Sequence, residues 1–117
     1  MITVSDVRKY LNDIPEEHIS DDTIRLQIRI AEAIIENEKS STATQQLIDN
    51  AILAKAGELT YIAYTTEMER SLGVLPPAVA THIEDLRKIS DLFLSYVKRG
   101  THMKVTAFDL SSSIWDV

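Results

Sequence analysis

The stretch from Thr44 to Leu72 constrains this chain more than any other. It holds no proline, and a continuous helix over it makes a rod of roughly 43 Å at 1.5 Å per residue. At 100° per residue, Ile48, Ala51, Ile52, Ala56, Leu59, Ile62 and Ala63 share one face, with Lys55 the one charge among them. Leu53, Gly57, Tyr61, Tyr64 and Met68 lie on roughly the opposite side. A helix with one apolar stripe faces a core, whereas one apolar on two sides is sandwiched. In a chain of 117 residues the second contact is either a short element of its own or another protein.

The flanking segments read as further helices. Ser5 is placed to cap a short one running to about Asn12, with Val7, Tyr10 and Leu11 at i, i+3, i+4 spacing. Pro15 disfavours helix in the residue before it, so the chain from Asn12 to Ser20 is expected as a loop. Ser20 then caps a second helix running to about Lys39, and Asp21 and Asp22 suit the positive end of its dipole. Its main stripe is Ile24, Ile28, Ala31 and Ile35, widened by Leu26, Ile30, Ala33 and Ile34; Arg25, Arg29, Glu32 and Glu36 form the wet side.

A polar break at 39–43 leads to Thr42 or Thr44 as the cap of the long helix, which Gly73 ends. Pro76 and Pro77 block continuation and pre-set the first turn of a last helix, ending at Gly100. Val79, Ile83, Leu86, Phe93, Leu94 and Val97 make its core face, with Glu84 and Lys88 paired outside. The expected fold is an all-α small helical bundle, one short and three longer helices. Its helical domain is 1–100, its core built on Ile24, Ile28, Ile48, Ile52, Leu59, Ile83, Leu86 and Phe93.

After Gly100 the period changes. Met103, Val105 and Ala107 alternate with Lys104 and Thr106, which predicts a short strand in an extended C-terminal arm, 101–117. Phe108 and Trp115 follow as large side-chain anchors. With Met103 and Val105 they make the arm a candidate partner-binding segment. Tyr61, Tyr64 and Met68 are the second candidate, because Tyr and Met are enriched at interfaces; the plainer expectation is that the first helix covers them.

Composition narrows the chemistry. A net charge of −6 opposes sequence-independent DNA binding, which needs surplus cations, though DNA can pass an acidic surface without being gripped. With no cysteine there is no disulfide, thiolate nucleophile or cysteine metal site. His18, His82 and His102 lack a second ligand at metal-binding helical spacing and are expected as surface or partly buried side chains. No serine sits in a G-x-S-x-G elbow, and the glycines form no phosphate loop. Neither cofactor nor metal is expected, and the chain does not read as an enzyme. No apolar run approaches the about 20 residues that span a bilayer, and the N-terminus lacks signal-peptide regions, so a cytoplasmic location without membrane contact is expected. A helix-turn-helix is disfavoured: Gln45, Gln46, Asp49 and Asn50 after the break bring few cations.

The order of these elements resembles the head–tail connector proteins of long-tailed phages and related viruses, also called head-completion or adaptor proteins. The resemblance covers roughly residues 4 to 97. It is carried by the helix start Ser20-Asp21-Asp22-Thr23-Ile24 and its continuation through Ile28, Ala31, Ile34, Ile35 and Glu36. The alanine-rich Ala51-Ile52-Leu53-Ala54-Lys55-Ala56 with Tyr61-Ile62-Ala63, and Pro76-Pro77-Ala78-Val79, complete it. It implies a non-enzymatic virion protein, monomeric until it assembles as a twelve-fold ring beneath the portal. The implied partners are the portal protein, neighbouring copies of itself, a tail or stopper protein, and DNA passing through the channel without specific binding. The implied location is the capsid vertex, after assembly from the host cytoplasm. The alternative from another class is a small helical regulator or adaptor of a viral or host protein.

Overall fold

The computed structural model describes residues 1–13, 18–73 and 77–100. Among these residues the chain forms four helices and no strand: α1 (Val4–Tyr10), α2 (Asp21–Glu38), α3 (Gln45–Leu72) and α4 (Pro77–Arg99). The expected helical bundle is therefore observed. The predicted strand at 103–107 and the rest of the arm lie outside the described residues, as do Met103, Val105, Phe108, Trp115 and His102.

Local chemistry sets most of the helix ends. Thr3, not Ser5, caps α1: its hydroxyl accepts from the Asp6 amide while the Asp6 carboxylate accepts from the Thr3 amide at 2.9 Å. A reciprocal box satisfies two orphan N–H groups where Ser5 alone would satisfy one. At the other end the chain leaves the helix early, and Asn12 and Asp13 both take φ near 60°. Ser20 caps α2 and Thr44 caps α3, each accepting from the amide three residues on. Gly73 ends α3 with φ 81°, a left-handed conformation that costs glycine little.

α3 is the hub. From Leu47 to Thr60 its buried residues are Leu47, Ile48, Ala51, Ile52, Ala54, Ala56, Gly57, Glu58 and Thr60, and these positions encircle the helix. The other three helices all pack against it, α2 and α4 most extensively. Small residues make that possible, because Ala and Gly let neighbouring helices come close. The Tyr10 ring lies directly on Gly57, so a β-carbon there would overlap the ring. α1 is also held to α2: the Arg8 guanidinium donates to the Ile19 carbonyl at 2.9 Å and to Asp21 at 2.6 Å. The 39–43 break is pinned to the end of α4, where the Ser40 amide donates to the Val97 carbonyl at 2.9 Å and Gly100 lies against Ser40 and Thr42.

The core differs from the expected one in identifiable places. Ile24, Ile28, Ala31 and Ile35 are buried as expected, and so are Ile48, Ile52 and Leu86. Leu59 and Ile83 are only half-buried, and Phe93 packs at the core's edge. Val97 on α4 is fully buried as expected, and the interior otherwise shifts to Leu47 on α3 and to Ser90 and Tyr96 on α4. Strict apolar counting misplaced this face because α4 turns a serine and a tyrosine inward. Glu84 pairs with Arg87 at 3.4 Å, not with Lys88. None of the described helices is long and apolar enough to cross a membrane.

Two stability outcomes follow. Ile24→Ala should cost about 2–5 kcal/mol, because a fully buried side chain leaves a cavity, while half-buried Leu59→Ala should cost clearly less; chemical denaturation compares them. Gly57→Ala should destabilise by about 1–3 kcal/mol through overpacking against Tyr10. In a Tyr10→Ala background the same change should become favourable, since alanine exceeds glycine by about 1 kcal/mol in a helix interior.

Candidate interaction surface

Tyr61 and Tyr64, one turn apart on α3, form the middle of an aromatic row. Their ring centroids are 5.8 Å apart. His82 from α4 meets the Tyr61 ring edge-on at 4.6 Å, and His18, just before α2, meets Tyr64 at 5.9 Å. These separations lie in the range where tilted and edge-to-face rings attract. The sequence placed the two histidines in unrelated segments; the fold puts one at each end of the tyrosine pair. Tyr61, Tyr64 and His82 are half-buried and His18 is exposed, so the tyrosine pair is covered only in part. Burial pushes the Tyr61 phenol above its usual value, and Tyr64 adds to the effect.

One turn further along, Met68 completes the trio expected from sequence. It lines an open groove of about 410 Å³ with His18, Tyr64, Glu67, Ser71 and Leu72. Leu72 is 63% exposed at the groove's end. Glu67 is paired with Arg70 at 2.8 Å, which places a neutralised polar rim beside the apolar floor. The groove is open and large enough to take an inserted side chain. Among the described residues no group of three or more His, Cys, Asp or Glu converges as a metal site would require.

Sequence reasoning missed a buried carboxylate. Glu58 is 5% exposed, and it accepts from Lys55 Nζ at 2.9 Å while Arg87 of α4 approaches to 3.6 Å. Arg87 also holds Glu84, so four charges tie α3 to α4. The i, i+3 spacing of Lys55 and Glu58 was a visible signal, since a lone lysine on an apolar face needs a partner. Beside this cluster the Tyr10 hydroxyl is buried with no hydrogen-bond partner among the described residues. Burial raises its pKa, and the Glu58 charge raises it further.

No family model matches the chain, and no curated protein or solved structure matches it.

Removing Glu58 should cost about 3–5 kcal/mol, because Lys55 would be left largely buried and unpaired; urea unfolding of Glu58→Ala tests this. Tyr10→Phe should be neutral or mildly stabilising at pH 7, since it removes an unpaired buried hydroxyl. The pH dependence has a definite sign. Tyr10 has a raised folded pKa, so its contribution is complete below the unfolded value of about 10 and falls as pH rises through the folded one. Stability should therefore decline above about pH 10, and less steeply in Tyr10→Phe.

Proposed function

We propose that this chain is a non-enzymatic structural protein of a virion, one subunit of a ring that joins a capsid portal to a tail and extends the DNA channel. The observation that carries the protein-binding part of this reading is the half-buried row of Tyr61, Tyr64 and His82 leading into the Met68 groove. Aromatic and methionine side chains that are partly desolvated in the free subunit make inexpensive anchors, having little rotamer freedom or solvation left to lose. The virion setting rests on the resemblance of the helix order to head–tail connectors.

A closed ring needs two different patches on each subunit, because head-to-tail contacts pair unlike surfaces. The groove beside Leu72 supplies one at the α3–α4 turn, and the arm 101–117, beginning at the opposite end of α4, supplies the second. The net charge of −6 is compatible with DNA passing through such a ring without being held.

The direct test mixes the purified full chain with the portal protein of the same virus and examines the mixture by sedimentation and electron microscopy. A ring that co-sediments with the portal is expected; two species that never associate would overturn the reading. Tyr64→Ala combined with Met68→Ala should weaken portal binding at least about tenfold, the equivalent of 1.4 kcal/mol, without changing the helical circular dichroism.

A further inference from the structure

Leu72 is 63% exposed in the last turn of α3, more than any other large apolar side chain of the described helices. Glu69 lies one turn before it on the same face and is also exposed. Glu67 holds Arg70, but Glu69 has no ion-pair partner among the described residues. Leu72 and Glu69 thus form an apolar knob with an unpaired carboxylate beside it. The knob projects: His18, just before α2, lies against Tyr64, and Leu72 is about 12 Å further along the α3 axis.

The complementary features meet in an open groove of about 640 Å³ between residues 1–5 and α2. Its floor is Ile2, Val4 and Ile28, and Arg25 and Arg29 stand on its wall. Arg8, Arg25, Arg70 and Arg87 each hold an acid, whereas Arg29 has no ion-pair partner among the described residues. α2 and α3 run antiparallel, since Tyr64 lies by His18 while Gln45 and Asp49 share a cleft with Glu36 and Lys39. Arg29 is about 12 Å along α2 from Asp21, in the direction away from Leu72. The knob of a chain is therefore out of reach of its own groove.

We propose that Leu72 and Glu69 of one copy seat in the groove of Ile2, Val4 and Ile28 of another, with Glu69 against Arg29. Leucine then meets an apolar floor, and an unpaired carboxylate meets an unpaired guanidinium, so neither charge is covered without a partner. Glu32 also lines the groove and sets the direction, because Glu69 laid against it would face a like charge. A second copy is the occupant that carries both halves, and because the two patches are unlike, copies join head to tail. The inference rests on the proposal that copies of this chain contact one another; it needs neither the portal nor the arm.

A charge swap read by sedimentation of the full chain, at concentrations up to about 1 mM, tests the contact. The native chain should self-associate, and Arg29→Glu or Glu69→Arg alone should weaken association at least about tenfold. Leu72→Asp should weaken it likewise. An equimolar mixture of the two charge variants should associate, as should the double variant Arg29→Glu, Glu69→Arg, because each restores opposite charges across the contact. All three residues are exposed, and far-UV circular dichroism checks that the helices persist. A native chain that stays monomeric, single variants that associate as it does, or a double variant without recovery would each overturn the proposal. A native chain that stays monomeric yet binds the portal would remove this contact alone and leave the ring reading standing. Association that follows the swap without any portal binding would support the contact and overturn the virion reading.

Discussion

The close packing of three helices around the small-residue middle of α3 is the constraint on which the other contacts depend. Ala51, Ala54, Ala56 and Gly57 bring the neighbouring backbones near enough for Tyr10 to rest on the helix itself. A helix buried on all sides has no wet face on which to carry charge, so each polar group on it must find a partner inside. Glu58 meets that demand through Lys55 and Arg87. Thr60 does not, and its hydroxyl is buried without a partner among the described residues. Such a network contributes little net stability over an apolar substitute, but breaking it is costly. Its effect here is to hold α4 in register against α3.

That register shapes the candidate surface. With Glu58 set against Arg87, the next turn of α3 brings Tyr61 edge-on to His82, and the following turns open into the Met68 groove. The packed middle of the bundle and the adaptable end are parts of one helix. The stability of the first thereby positions the second, and anchors held in place before binding lose less entropy on contact.

How much was legible in the sequence depended on how one-sided each helix is. α2 buries a single stripe, and Ile24, Ile28, Ala31 and Ile35 were readable from spacing alone. Ser20, Thr44, Gly73 and Gly100 were readable because caps and left-handed ends have specific chemistry. On α3 two apolar faces were expected to be sandwiched, but the helix is enclosed between them as well, so Leu47, Ala54 and Thr60 were missed and Leu59 was placed too deep. Ser90 was missed on α4 because a serine gives no apolar signal. Of the candidate surface, Tyr61, Tyr64 and Met68 were found by their residue types. The convergence of His18 and His82 on them depends on tertiary approach, which periodicity does not encode.

Native-state hydrogen exchange on the full chain tests the central role of α3 most directly, because protection reports the free energy of opening each segment. The slowest amides should lie in α3 between Ala51 and Thr60 and exchange only with global unfolding. α1, a single short helix attached through Val7, Tyr10 and Arg8, should open earlier and by itself. If the amides of α3 from Ala51 to Thr60 exchanged while α2 and α4 stayed protected, α3 would not be the hub of this fold.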